Sequence, residues 1–168
     1  MKILERYQLA KEIVTVVGEK ITGLHSGQLL VGYKDGQAQD PVTNLDELAQ
    51  NMIIQSILEV FNSDQIYAEE NNKQQANLDS DNLWIIDPID GTANFMHGLP
   101  LWGISIAFAQ KGQVIFGVVY CPEIQKMYEA FEGKGAFLNA KPIYVSKIDN
   151  LEHALITTGL THQLKNQP

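Results

Sequence analysis

The sequence has little cysteine: Cys121 is the single one among 168 residues. One cysteine cannot form an intrachain disulfide, and it excludes both a thiolate zinc site and a Cys-x-x-Cys redox pair. Long apolar runs are also missing, since no stretch approaches the roughly 20 apolar residues of a membrane span. The first residues, Met-Lys-Ile-Leu-Glu-Arg-Tyr-Gln, are charged where a signal peptide is apolar. We therefore expect a cytoplasmic protein with no membrane partner.

Basic clusters and paired histidines are absent as well. The chain has 12 Lys and Arg against 20 Asp and Glu, a net charge of −8, and the basic residues are scattered. A nucleic-acid surface needs clustered Lys and Arg, so we expect no nucleic-acid partner. His25, His97, His153 and His162 show none of the paired spacings of zinc enzymes. An acidic chain can still bind a phosphorylated small molecule when divalent cations invert the local charge.

The composition is that of a folded domain, with 45% hydrophobic and 19% charged residues. Apolar residues at steps of three and four predict two amphipathic helices, Ile3–Leu24 and Leu45–Phe61. Each apolar stripe is typical of packing against the protein's own sheet.

The start of the second helix has two capping-box registers, Thr43 with Asp46 and Asn44 with Glu47. An acid in the first turn is favoured by the helix dipole. Asp46 therefore has an ordinary structural explanation on local grounds.

Several short β-rich runs follow, separated by turns that contain glycine. Such hairpins predict an α+β fold in which two long helices pack on one face of a mainly antiparallel sheet. The polar segment 71–82 is predicted to be a loop, and the whole chain one domain. The predicted strands are Gln28–Lys34, Gln65–Ala68, Leu101–Gln110, Val114–Cys121, Lys126–Phe131 and Gly135–Leu138, with weaker candidates at Ile143–Val145 and Ala154–Thr157.

The most informative stretch is Trp84–Asn94, Trp-Ile-Ile-Asp-Pro-Ile-Asp-Gly-Thr-Ala-Asn. It begins as a buried strand and carries two acids three residues apart, Asp87 and Asp90. In a continuous strand their side chains would point to opposite faces. Pro88 is predicted to end the strand and turn the chain, which would let the two carboxylates converge. Gly91 then gives a flexible link, after which Thr92 or Asn94 could cap a helical turn.

Convergent carboxylates are ligands for a hard cation such as Mg²⁺. The carbonyl of Ile89 could complete the ligand set, and two such ions would suit in-line displacement at phosphorus. The backbone N–H groups of Gly91 and Thr92, at a helical start, could bind the phosphate. The Thr92 hydroxyl could cap the helix, orient the attacking water, or do both. The stretch therefore points to phosphate ester hydrolysis.

The sequence resembles the inositol monophosphatase family, which consists of Mg²⁺-dependent and usually lithium-sensitive phosphatases. The resemblance is carried by Trp84–His97, by Ser105–Gly117 and by Gly133–Phe137. It implies two or three Mg²⁺ ions as cofactor and a small phosphorylated substrate. It also implies a homodimer, as many members form.

Residue roles follow from the same resemblance. Glu69, which alone reads as solvated surface, would be a metal ligand and would position the attacking water together with Thr92. Asp46 would help to activate that water through Thr92. Ala68 and Ala93 stand where many members have Gly and Thr, and neither change removes a ligand. Asp87 and Asp90 would be shared metal ligands with the Ile89 carbonyl, Gly91 and Thr92 would hold the phosphate, and Lys34 would lie at the edge of the site.

Members that resemble this chain continue for roughly another half of its length, as in proteins of two subdomains. Their further segment bears a Trp-Asp-x-Ala-Ala-Gly-like motif whose Asp completes the second metal site, and this sequence lacks it. The resemblance therefore implies that residues 1–168 are the N-terminal αβ part of an αβαβα layered sandwich. The second metal site would be incomplete, and a sheet face or edge would be exposed.

The resulting hypothesis is Mg²⁺-dependent hydrolysis of a small polyol or sugar phosphate. Inositol monophosphate is the substrate that we expect. A 3′-phosphoadenosine or fructose 1,6-bisphosphate phosphatase is the alternative, because similar metal ligands serve those substrates. The alternative of a different class is a family member without catalysis of its own, either a truncated product or a subunit that works through protein contacts.

Overall fold

The computed structural model describes residues 2–25, 31–33, 41–70 and 79–157. Two short 3₁₀ turns, Pro122–Ile124 and Leu151–His153, occur among the following helices and strands. The elements are α1 (Lys2–His25), β1 (Val31–Tyr33), β2 (Pro41–Thr43), α2 (Asn44–Val60), β3 (Gln65–Ala68), β4 (Leu83–Asp90), α3 (Thr92–Met96), β5 (Gly103–Gln110), β6 (Gln113–Cys121), β7 (Lys126–Phe131), β8 (Gly135–Leu138) and β9 (Lys141–Ile143).

Strands β3 to β9 form one seven-stranded sheet in which each strand lies beside its neighbour in the sequence. All pairs are antiparallel except β3 and β4, which run parallel. The α+β prediction of a mainly antiparallel sheet is therefore confirmed. Because β3 and β4 run parallel, their carboxyl ends lie next to each other at the same end of the sheet.

Helices α1 and α2 cover one face of this sheet. The buried apolar side chains of the two helices pack against every second side chain of β4, β5 and β6, because side chains alternate between the two faces of a strand. Leu24, predicted to be in the stripe of α1, is 36% exposed, so the covered stripe ends at Ile21. The core includes Ala10, Val14, Val17 and Ile21 of α1, Ala49, Ile53 and Ile57 of α2, and Trp84, Ile104, Ile106, Phe108, Phe116 and Val118 of the sheet.

The opposite face of the sheet is less covered than the face against α1 and α2. Its side chains, such as Ile85, Ala107 and Val119, are half-buried. Large apolar side chains in the segment after β9 are exposed: Tyr144 by 89% and Val145 by 92%. No helix in the described ranges is both long enough and apolar enough to cross a bilayer.

Two weak strand predictions were inaccurate. The last strand spans Lys141–Ile143 rather than Ile143–Val145, and Ala154–Thr157 forms no strand. Apolar residues suggested a strand there, but the side chains of Leu155 and Ile156 are exposed. Residues 28–30 and 34 of the first predicted strand, and 71–78 of the predicted loop, lie outside the described residues.

A buried ion pair fastens α1 to the strands β3 and β4. The Arg6 guanidinium donates from Nε and Nη2 to the two carboxylate oxygens of Asp64, both at 2.7 Å. The indole Nε1 of Trp84 donates to the same carboxylate at 3.0 Å. Asp64 immediately precedes β3 and Trp84 lies in β4, so one carboxylate joins the helix to both strands. The guanidinium also stacks 4.1 Å from the ring centroid of Phe61.

Replacing Arg6 by Met should strongly destabilise the protein, because the buried Asp64 carboxylate would lose both guanidinium donors and its countercharge. We expect a loss of about 3–5 kcal/mol in the free energy of unfolding. Urea unfolding near neutral pH measures it, with Lys20→Met, at an exposed site on the same helix, as the control. Equal losses in the two variants would contradict this role for the ion pair.

Candidate active site

A β-bulge at Pro88 and Ile89 brings the two predicted aspartates to the same side of β4. In the pairing with β5, Asp87 lies opposite Ser105 and Asp90 opposite Gly103, so two residues of β4 face one of β5. The extra residue shifts the alternation of side chains by one. The prediction that Pro88 ends the strand is therefore wrong, since β4 continues to Asp90. Proline is tolerated because a bulged residue needs no ladder N–H.

Gly91 makes the turn from β4 into the short helix α3. Its φ of 90° lies in the left-handed region, and a Cβ there would be 3.0 Å from the carbonyl oxygen of Leu101. The expectation that Thr92 or Asn94 caps this helix is wrong, because Gly91 is the N-cap and no side chain caps it. The Asn94 side chain instead donates to the Leu101 carbonyl at 2.7 Å. It thereby ties α3 to the segment leading into β5.

Asp46 serves both as a helix cap and as a partner of Thr92. Its carboxylate accepts from the backbone N–H of Thr43 at 2.9 Å and from the Thr43 hydroxyl, so the Thr43–Asp46 register of the capping box is the one that forms. The second oxygen lies 3.3 Å from the Thr92 hydroxyl, which is also 3.0 Å from the carbonyl of Ile89. Burial raises the pKa of Asp46, against the hydrogen bonds from Thr43 and Thr92.

Glu69 and Asp87 meet at the carboxyl ends of the parallel strands. The ladder continues one residue past β3, since the N–H of Glu69 donates to the carbonyl of Ile86 at 3.1 Å. Burial raises the pKa of Asp87 to about 7, aided by the charge and hydrogen bond of Glu69 and by the charge of Asp90. One Asp87 oxygen is buried and has no hydrogen-bond partner within residues 2–25, 31–33, 41–70 and 79–157. Such carboxylates share a proton when no cation neutralises them.

The residues predicted for the site thus form two linked groups. In the first group, Glu69 contacts Asp87, and the charge of Asp90 helps to raise the pKa of Asp87. In the second group, the Thr92 hydroxyl lies between Asp46 and the carbonyl of Ile89. Within the described ranges, no three Asp, Glu, His or Cys side chains are grouped closely enough to hold a metal ion by themselves. Carboxylates together with a carbonyl are the oxygen ligands available here. Lys34 lies outside the described residues.

Sequence reasoning missed Gln50, which lies one helical turn after Asp46. Its amide bonds both backbone groups of Glu70: Nε2 donates to the carbonyl at 2.7 Å, and Oε1 accepts from the N–H at 2.9 Å. Gln50 is buried beside Ala49 and Ile53. A polar residue within the apolar stripe of a helix was the signal that could have revealed it.

Comparison with known proteins gives one consistent result. A model of the inositol monophosphatase family matches residues 3–167. A Thermotoga maritima protein named fructose-1,6-bisphosphatase/inositol-1-monophosphatase is 38% identical over 156 residues, covering 93% of this chain and 59% of that protein. The chain thus spans a little over half the length of such a relative.

Solved structures agree with the sequence match. The Thermotoga maritima IMPase superposes with a TM-score of 0.77 at 38% identity, covering 85% of this chain and 54% of that one. A structure of an IMPase/NADP phosphatase complexed with Mg²⁺ and phosphate gives a TM-score of 0.74 at 28% identity, covering 84% and 53%. From the match over nearly its whole length, this chain belongs to the inositol monophosphatase family.

Proposed function

We propose that this protein uses Mg²⁺ to hydrolyse the phosphomonoester of a small polyol or sugar phosphate. Inositol monophosphate is the substrate that we propose. The observation that carries the proposal is the contact between Glu69 and Asp87 beside Asp90. There the pKa of Asp87 is raised, and one of its carboxylate oxygens is buried with no hydrogen-bond partner in the part of the chain that the structure describes. Carboxylates that share a proton in this way favour a divalent cation in its place.

The donor set fits a hard cation. The carboxylates of Glu69, Asp87 and Asp90, which do not close on one point without a cation, and the carbonyl of Ile89 would hold Mg²⁺, since this cation selects oxygen ligands. The carbonyl oxygen of Ile89 accepts one hydrogen bond from Thr92 and keeps a second lone pair. When bound, the metal polarises the phosphoryl oxygens and lowers the pKa of water.

The chain's own residues would orient the attacking water. The Thr92 hydroxyl lies between Asp46 and the Ile89 carbonyl, so its position is fixed from two sides. Glu69 and Thr92 would hold the water in line with the phosphorus, and Asp46 would draw the Thr92 proton so that its oxygen accepts from the water. The N–H groups of Gly91 and Thr92 would bind phosphate oxygens. Residues 1–168 would form the N-terminal αβ part of the enzyme.

A bisphosphatase is the second candidate, and one observation favours it. The Thermotoga maritima relative is named for both fructose 1,6-bisphosphate and inositol 1-phosphate. Rates of phosphate release from these two substrates and from a 3′-phosphoadenosine nucleotide would rank the candidates. No release from any of them by the wild-type protein would favour a non-catalytic family member.

Asp90→Asn should reduce Mg²⁺-dependent phosphate release from inositol 1-phosphate by more than about 100-fold, because loss of a direct ligand costs more than loss of an outer partner. The matched control is Asp149→Asn, an exposed site after the last strand. Full activity in Asp90→Asn would remove Asp90 from the proposed ligand set.

The pKa of Asp87 predicts how metal-free stability depends on pH. Its folded-state pKa is about 7 against an ordinary value of 3.8, so the folded protein keeps a proton that the unfolded chain releases in this interval. In EDTA, stability should therefore fall as pH rises from about 4 to about 7 and change little above it. Saturating Mg²⁺ should stabilise the protein most at the upper end, since the cation binds the ionised pair.

Thermal unfolding across this pH range, with EDTA or with MgCl₂, measures both effects. Asp87→Asn should flatten the EDTA profile between about pH 4 and 7 and abolish the Mg²⁺ stabilisation. Wild-type and Asp87→Asn profiles of the same slope in EDTA would show that Asp87 does not titrate as described.

A further inference from the structure

We infer that Gln50 is a positioning residue of the proposed site, one that sets Glu69 against Asp87 by holding the chain just beyond β3. The inference rests on the proposed function, because it concerns the direction in which Glu69 presents its carboxylate. The hydrogen bonds that support it lie where β3 ends.

The last ladder bond of β3 on β4 joins the N–H of Glu69 to the carbonyl of Ile86. The next residue, Glu70, is 7% exposed, and the Gln50 amide supplies partners for both its N–H and its carbonyl. A primary amide has a donor and an acceptor side by side, as a neighbouring strand does. The Gln50 side chain thus extends the pairing of β3 by one residue, and Glu69 is held between a backbone bond and a side-chain clamp.

Buried backbone groups that lose their partners cost about 1–3 kcal/mol each. Without Gln50, the chain at Glu70 would have to rotate to find other donors and acceptors. Because Glu69 is the adjacent residue, that rotation would move its carboxylate relative to Asp87. A displacement of this kind weakens a metal site, because Mg²⁺ demands near-ideal octahedral geometry.

Helix α2 connects this clamp to the other half of the site. Asp46 and Gln50 are four residues apart and therefore lie on the same helix face, one turn from each other. Asp46 reaches Thr92, just after β4, and Gln50 reaches Glu70, just after β3. One rigid helix thus sets the spacing between Thr92 and Glu69, the two residues proposed to position the water.

A purely structural role would make Gln50 matter for stability alone, so the test must separate stability from metal binding. Gln50→Met keeps a similar length and removes both hydrogen bonds. Gln55→Met, at an exposed position on the same helix, is the matched control. Calorimetric titration with Mg²⁺, and with Mn²⁺ as a second probe, is done below the unfolding temperature of every variant. We expect Gln50→Met to bind 10- to 100-fold more weakly and Gln55→Met to bind like the wild type.

Kinetics of phosphate release give the second readout. At saturating metal, Gln50→Met should lower kcat more than it raises KM, because the substrate's own contacts are unchanged. If this variant does not fold, Gln50→Asn replaces it, since an amide one methylene shorter cannot reach both groups of Glu70. Affinity within about twofold of wild type in the folded variant would overturn the role of Gln50. Absence of metal binding by the wild type would instead overturn the proposed function together with this inference.

Discussion

The structure of the site depends on the bulge in β4. A regular strand cannot place two side chains three residues apart on the same side, and the extra residue at Pro88–Ile89 removes this restriction. The bulge also brings the Ile89 carbonyl to the Thr92 hydroxyl. Gly91 then turns the chain through a left-handed conformation in which a larger residue would press on Leu101. Carboxylates, carbonyl and hydroxyl are therefore positioned by one local irregularity of the sheet.

Hydrogen bonds and an ion pair join the helices and strands around the bulge. On one side, α1 is joined to β3 and β4 through the buried pair of Arg6 and Asp64 and the indole of Trp84. On the other side, α2 bonds the turn after β4 through Asp46. The parallel pairing of β3 and β4 places Glu69 beside Asp87. The like charges gathered there disfavour ionisation, so a cation that neutralises them would gain binding energy from the same arrangement.

Much of this architecture could be predicted from local sequence patterns. The periodicity of the two helices, the capping box at Thr43 and the bounds of β3, β7 and β8 were all confirmed. These features depend on residues close in sequence, and local patterns report them well. The antiparallel hairpins followed from their glycine turns for the same reason.

The features that sequence reasoning missed depend on distant partners or on competition between rules. Pro88 was expected to end a strand, but a bulge accommodates a residue without an N–H while the neighbouring strand β5 continues the pairing. The Thr92 hydroxyl does not cap α3, because it is bonded to Asp46 across the site. Gln50 was overlooked because its partner, the backbone of Glu70, is 20 residues away. The sequence predicted a buried strand that begins at Trp84, but it did not predict the hydrogen bond from the Trp84 indole to Asp64.

In the proposed enzyme, Glu69, Asp87, Asp90 and the Ile89 carbonyl form a divalent-cation site at the bulge of β4. A crystal structure of the protein soaked in Mn²⁺, with anomalous scattering recorded at the manganese edge, tests it most directly. We expect an anomalous peak in bonding contact with the carboxylates of Glu69 and Asp87. A peak bound only elsewhere on the molecule, or no peak at saturating Mn²⁺, would contradict it.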